Sequence, residues 1–285
     1  MFSYRHAFHA GNHADVFKHI VLMLSMEYLA QKETPLAAVD THAGVGLYRL
    51  DGEYAQTSQE ALEGIVKLWQ AELSSPVLQR YVSVIRAYNP DAVLRTYPGS
   101  PLIMHDLCRA QDKLHLFELH PVDQHELVRT IGRLKNNQRI QIHTKDSFSG
   151  LKSLLPPLSR RGLVLMDPSY EVKTDYQQVQ TAITESLKRF ATGVYLVWYP
   201  IVALPQAQQL PEQLKRLAQA HGRDWLHTTL RIRQSSQDVK GLQASGMFVI
   251  NPPYVLQTEL RKALPELVKL LKTGQGAEFT IVCKE

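Results

Sequence analysis

Leu36-Ala37-Ala38-Val39-Asp40-Thr41-His42-Ala43-Gly44-Val45-Gly46 decides how the rest of the chain is read. A short apolar run is enough for a buried parallel strand, and it breaks at once into Asp-x-x-x-Gly-x-Gly. Glycines after a strand let the backbone turn sharply and approach a bound ligand, because no Cβ stands in the way. The dinucleotide fingerprint G-x-G-x-x-G sets amides against a pyrophosphate. Here Arg49 stands where the third glycine would be, and Asp40 would repel a diphosphate. An acid at that point suits a cofactor carrying positive charge, such as the ammonium and sulfonium of S-adenosylmethionine (SAM). Taken alone, the motif also describes an ordinary strand-turn of an α/β sheet.

A chain of 285 residues holds one large α/β domain with an insertion, or two small domains. With 44% hydrophobic and 21% charged residues the composition is globular, which argues against long disorder. No window approaches twenty apolar residues, and the start MFSYRHAFHAGNHADVFKHI is too polar for a secretory signal, so no membrane association and a cytoplasmic location are expected. Cys108 and Cys283 form no C-x-x-C and suggest core thiols. A net charge of +5 and a pI near 9.1 favour a polyanionic partner without requiring one.

Ahead of the glycine stretch, Val16, Ile20, Met23 and Leu24 recur at helical spacing. Asn12 with Asp15 resembles a capping box, and Thr34-Pro35 supplies a stop, which predicts a helix over about 13–32. The segment before it carries Tyr4, Arg5 and the histidines His6, His9 and His13, with His19 following in the helix. No cysteine or carboxylate completes a metal set, so no metal is expected. An aromatic stacking surface with Arg5 and Lys18 near phosphates is the nucleic-acid reading. The plain alternative is a solvated arm.

After a glycine loop, the next strand should end about 20 residues on in an acid that holds ribose hydroxyls. The next convincing strand is Lys113–Phe117, ending at Glu118, so the excess must be housed elsewhere. Leu62, Ile65, Val66 and Trp69 mark one amphipathic helix, and Leu78, Val82 and Ile85 another introduced by Pro76. This predicts a small helical insertion over about 48–96 within a domain made of 1–47 and 97–285. Nothing in a cofactor fold needs those residues, which suggests a separable module that grips RNA. Ser100 reads as the N-cap of the helix that follows, with Pro101 at its first position.

From Glu118 onward strand and helix alternate regularly. Strand 139–144 leads to Asp146 and Ser147, strand 162–166 to Asp167-Pro168-Ser169-Tyr170, and a further strand covers 194–198. Two later runs, near 228–233 and 247–250, are joined by a polar loop and should pair antiparallel. The expected fold is α/β: a doubly wound, mostly parallel, seven-stranded Rossmann-like sheet with an antiparallel edge.

Asp167-Pro168-Ser169-Tyr170 is the most informative tetrapeptide. An exocyclic aromatic amine such as adenine N6 is a poor nucleophile, because its lone pair is delocalised into the ring. The Asp167 carboxylate and Pro168 carbonyl can accept both N–H donors and localise that lone pair, while Tyr170 stacks on the extruded base. Asn251-Pro252-Pro253-Tyr254 matches the D/N-P-P-Y pattern better. It follows an antiparallel strand, however, whose end points away from the ligand face, so it is read as a turn.

In this order Asp40-Thr41-His42-Ala43-Gly44-Val45-Gly46, Glu118, Asp146 and Asp167 resemble a class I SAM-dependent methyltransferase. More narrowly, the chain resembles the bacterial 23S ribosomal RNA adenine-N6 methyltransferase J family. The likeness is carried by Tyr4-Arg5-His6 with HAGNHADVFKH, DTHAGVG, YPGSP, ELHP, RRGLVLMDPSYE, KTDY, KRFATG, WYP and ASGMFVINPP, from the first residues to about 253. The resemblance implies SAM contacts at His19, His42, Ser100, Glu118, Asp146, Ser147 and Asp167. It also implies rRNA contacts through Tyr4, His6 and Lys18, and a monomer acting on one adenosine in a 23S rRNA hairpin, free of protein or early in assembly. One departure is that the family's DPPY reads DPSY here, with Ser169 in place of proline. Rival readings are an adenine-N6 DNA methyltransferase, a nicotinamide dehydrogenase and a non-catalytic nucleic-acid-binding protein.

Overall fold

Apolar strands alternating with amphipathic helices build a sheet covered on both faces. The computed structural model describes residues 5–234 and 241–284; Tyr4 lies outside the described residues. In chain order the elements are α1 (His13–Leu29), β1 (Ala37–Asp40), β2 (Leu47–Arg49), α2 (Glu53–Ser58), α3 (Ile65–Gln70), α4 (Pro76–Ala87) and β3 (Thr96–Pro98). There follow α5 (Ser100–Leu107), β4 (Lys113–Phe117), α6 (Pro121–Gly132), β5 (Ile140–His143), α7 (Ser147–Gly150), β6 (Gly162–Met166), α8 (Thr174–Arg189) and β7 (Val194–Pro200). The chain closes with α9 (Pro205–Ala220), β8 (Trp225–Arg231), β9 (Ala244–Ile250), α10 (Leu256–Leu271) and β10 (Glu278–Cys283).

The main sheet runs β10-β8-β9-β7-β6-β1-β4-β5. β5, β4, β1, β6 and β7 are parallel, and β9 lies antiparallel between β7 and β8. The expected seven strands become eight. β10 pairs with β8 from Glu278↔Arg231 to Cys283↔Leu226, because the unpaired backbone groups of β8 accept one more strand. β6 is buried along its whole length, as a parallel strand covered on both faces should be. α8 and α9 cover one face, while α1, α5 and α10 cover the other. α9 has no clear signal in the sequence, since Pro211 and many glutamines obscure its buried stripe of Ala207, Leu210, Leu214 and Ala218.

α1 departs from expectation in its surroundings. Its apolar spacing predicts a one-sided helix, yet His13 to Met26 is buried without a break. α5 and α10 cover part of it, and the insertion completes the cover, closed at its base by the β2–β3 pair with Tyr48 opposite Tyr97. Ile65, Leu68, Leu78, Tyr81, Val82 and Ile85 share one buried cluster with Ile20 and Leu24 of α1 and Leu260, Leu264 and Leu267 of α10. The insertion is therefore not separately cored.

Its first half also docks the N-terminal arm. Ile65 N donates to Gly11 O at 2.8 Å, and a Cβ on Gly64 would stand 2.0 Å from that same carbonyl, so only glycine permits this approach. Glu60 accepts from His9 Nδ1 at 2.9 Å and from Asn12 Nδ2 at 2.8 Å. α1 ends at Leu29, short of the predicted end at about 32, where Arg109 and Arg161 donate to the carbonyls of Leu29, Ala30, Lys32 and Thr34.

β1 sits between β4 and β6, so the chain proceeds to one side through β5 and then crosses to the other. Ligands bind at the carboxyl ends of the strands where the order reverses. Among the described residues no helix is long and apolar enough to cross a membrane.

Candidate active site

The carboxyl ends of β1, β4, β5 and β6 open into one cavity of about 270 Å³. His19, His42, Ser100, Glu118, Asp146, Ser147 and Asp167 all line it, together with His6, Lys18 and Pro168. Seven separate elements or turns thus deliver the sequence-predicted residues to one place.

The glycine loop wraps the tip of β1. Gly44 and Gly46 lie at φ +62° and +82°, where side chains are strained, and a Cβ on Gly44 would stand 2.1 Å from the Tyr48 hydroxyl. Glu118 pins this loop by accepting from Gly44 N at 2.8 Å, and its other oxygen accepts from His120 N at 2.7 Å. An ionised carboxylate has about four lone-pair sites, so about two stay available to ligand hydroxyls. Burial holds its pKa above the usual range.

Among the described residues two buried atoms next to this loop lack a hydrogen-bond partner. Asp40 accepts from His42 N at 3.1 Å through Oδ1, while Oδ2 is unpaired among the described residues. Burial pushes the Asp40 carboxyl up to about 6. His19 bonds Tyr97 through Nδ1 at 2.8 Å, Tyr97 bonds Tyr81 at 2.6 Å, and His19 Nε2 is unpaired. If Tyr81 donates to Tyr97 and Tyr97 to Nδ1, each hydroxyl proton is satisfied and Nε2 carries a hydrogen. The reverse order strands the Tyr81 proton in the core, which is costly. His19 is therefore assigned as an N–H donor on the cavity wall. Burial pushes His19 down to about 3 and His42 to about 4, so both rings are neutral at physiological pH.

A buried donor, a buried acid and a carboxylate with free lone pairs fit a ligand bearing a carboxylate, cationic groups and a ribose. SAM is such a ligand. Because a cation is attracted to Asp40 only when it is ionised, SAM affinity should fall as pH drops through about 6, by up to about tenfold per unit. Glu118 titrates in the same sense, whereas His19 and His42 stay neutral across that window. Calorimetric titration between pH 8 and pH 5 checks this; Asp40→Asn should bind more weakly with a shallower pH profile.

Asp146 caps α7, accepting from Phe148 N at 3.3 Å and Ser149 N at 2.9 Å, and leaves its remaining lone pairs to the cavity. Ser100 is the first residue of α5 and buried, with Gly99 at the N-cap position predicted for the serine. At the end of β6, Asp167 Oδ2 accepts a hydrogen bond from Lys18 Nζ.

Residues 33–281 match the family described as ribosomal RNA large subunit methyltransferase D, RlmJ. The chain belongs to this family. It is accordingly a SAM-dependent ribosomal RNA methyltransferase. It is 46% identical to ribosomal RNA large subunit methyltransferase J of Escherichia coli, over 97% of this chain and 96% of that protein. The Haemophilus influenzae protein of the same name is 45% identical, over 99% and 98%. A crystal structure of a Legionella pneumophila protein superposes with a TM-score of 0.86 at 34% identity, over 96% of this chain and 98% of that one.

Within this RlmJ-family site one assignment needs correction. Tyr170 does not line the cavity. It is buried at φ +55°, donates through its hydroxyl to Trp198 O at 2.7 Å, and packs its ring on Tyr176 at 4.5 Å. Its face is spent in the core and is not open to a substrate base. Asn251 lies where strand direction predicts: at the end of antiparallel β9 its Nδ2 donates to Ala191 O and Gly193 O, beside the start of β7 and away from the cavity. The four histidines near the N-terminus go to different partners, His6 to Asp15, His9 to Glu60 and His19 to Tyr97, while His13 is buried.

In the sequence Asp15 shows only as part of a capping box. Asp15 N does bond Asn12 Oδ1 at 2.9 Å, but the Asp15 carboxylate turns inward to Gly11 N, His6 and Lys18. Tyr81 carries no sequence signal beyond its hydrophobicity, and Tyr97 only its place in YPGSP.

Proposed function

We propose that this RlmJ-family enzyme methylates N6 of one adenosine in 23S rRNA, presented in a hairpin free of protein or early in assembly, as a cytoplasmic monomer. The observation that carries the reading is Asp167-Pro168 on the wall of the cavity shared with the glycine loop. SAM, when bound, supplies a methyl group made electrophilic by its sulfonium. Glu118 takes the ribose hydroxyls, Asp146 and Ser147 the adenine end, and His19, His42 and Ser100 the amino-acid end. The Asp167 carboxylate and Pro168 carbonyl accept the two N6–H donors of the target base and localise its lone pair. Tyr4 and His6 hold the RNA, while the buried Lys18 serves the target base through its bond to Asp167. Incubation with tritiated SAM should label protein-free 23S rRNA and not duplex DNA, with N6-methyladenosine recovered on digestion. Label on DNA alone, or on another base position, would refute the reading.

A further inference from the structure

The N-terminal arm and the catalytic carboxylate meet at one side chain that neither of them contains. Asp15 is 2% exposed and sits one helical turn before Lys18 on α1. Its Oδ2 accepts from Gly11 N at 2.9 Å and from His6 Nε2 at 2.9 Å, and its Oδ1 accepts from Lys18 Nζ at 2.8 Å. The same Lys18 ammonium donates to Asp167 Oδ2. Lys18, 4% exposed, is therefore a buried cation shared between two carboxylates that come from different parts of the chain.

We propose that Asp15 is a positioning residue for methyl transfer: it holds back the Lys18 ammonium, so that Asp167 keeps an oxygen for the target amine, and it anchors His6 on the cavity wall. A buried ammonium needs full compensation by nearby acceptors. With Asp15 present, Lys18 directs one hydrogen to each carboxylate, and the second Asp167 oxygen stays available. Without the Asp15 charge, Asp167 is the carboxylate left in direct contact with Lys18 among the described residues, and the ammonium closes on both its oxygens. The acceptor for N6–H is then lost, although every atom of Asp167 is still present. His6 at the same time loses the partner that holds it against the cavity.

The electrostatics agree with this arrangement. Burial alone would raise the Asp15 carboxyl, but His6 and Lys18 outweigh it and hold Asp15 well below the usual range. Burial would likewise lower Lys18, but Asp15 and Asp167 outweigh it and keep the ammonium charged.

The inference rests on the proposed adenine-N6 reaction, and turnover of 23S rRNA by the unaltered enzyme separates failure of that reading from failure of this one. Asp15→Asn should lower the single-turnover rate at saturating RNA by about thirtyfold and raise the RNA KM, with the SAM Kd within about threefold of the unaltered enzyme. Lys18→Met and the double variant Lys18→Met/Asp15→Asn provide the second arm. The double variant removes two opposed buried charges together and so avoids the instability of an unpaired ion. Once Lys18 is gone, removing the Asp15 charge should cost no further rate at saturating RNA, because the action of Asp15 on Asp167 runs through the ammonium. Additive losses in the double variant would overturn the inference. So would an Asp15→Asn enzyme with an unchanged rate, or one whose SAM binding and melting temperature fall together while the double variant is slower than Lys18→Met alone.

Discussion

Asp167→Asn is expected to leave a folded, SAM-binding protein whose methyl transfer is at least about a hundredfold slower. The reason is the orientation that Lys18 imposes on the replacement amide. An asparagine at this position offers one acceptor oxygen and one NH₂ donor group. The buried Lys18 ammonium is a donor and bonds the Oδ2 side of the carboxylate, so the amide oxygen must turn towards it. The NH₂ group is left facing the N–H donors of the target base. Loss of one correctly placed partner at a reacting centre costs about 2.7–4 kcal/mol in a comparable case, and donor facing donor adds repulsion. Asn251→Ala is the control. It removes bonds to Ala191 O and Gly193 O on the far side of the sheet, so it should lower stability by about 1–3 kcal/mol and leave turnover unchanged. Single-turnover assays decide between the two tetrapeptides, and an inactive Asn251→Ala beside an active Asp167→Asn would reverse the assignment.

Replacing residues 48–96 with a short linker is expected to abolish folding, not merely RNA binding. The ends are close, since Leu47 pairs with Pro98 in the β2–β3 hairpin, and a linker spans them without strain. What is lost is the cover over α1. Ile65, Leu68, Leu78, Tyr81, Val82 and Ile85 are all at most 3% exposed. At about 1.5–3 kcal/mol for each large apolar side chain, their removal costs about 10 kcal/mol or more, comparable with the roughly 5–15 kcal/mol that stabilises a typical domain. The deletion also takes away Tyr81, which orients the Tyr97–His19 chain, and Glu60, which holds His9 and Asn12. Circular dichroism melting and SAM titration of the deletion variant test this. A cooperative melt with undiminished SAM binding would show instead that the insertion is a separable module, as its sequence alone suggests.

Strand-terminal acids and glycines were legible from sequence because their signal is local. A short apolar run followed by Asp40 and the pair Gly44 and Gly46 states a strand, a turn and a close backbone approach within eleven residues. Glu118, Asp146 and Asp167 each follow a recognisable strand, and the parallel order of those strands brings all three to the β1–β6 reversal. The antiparallel direction of β9 likewise places Asn251 away from the site, and strand order alone predicts it. Partners distant in sequence were not legible, since hydrophobic periodicity reports which face of an element is buried and not what buries it. Whether Ile65 and Tyr81 belonged to a free module or to the cover of α1 depended on where α4 and α10 packed. Nothing local places the last run, Glu278–Cys283, in the sheet; the unpaired edge of β8 receives it. Tyr170 carried the sequence mark of a stacking residue, yet the left-handed turn after β6 and the Trp198 carbonyl draw it into the core. For Asp15 the sequence determined only a helical turn that put it beside Lys18. Tertiary structure brought His6 and Asp167 to that pair, because a buried charge must find its compensation in space.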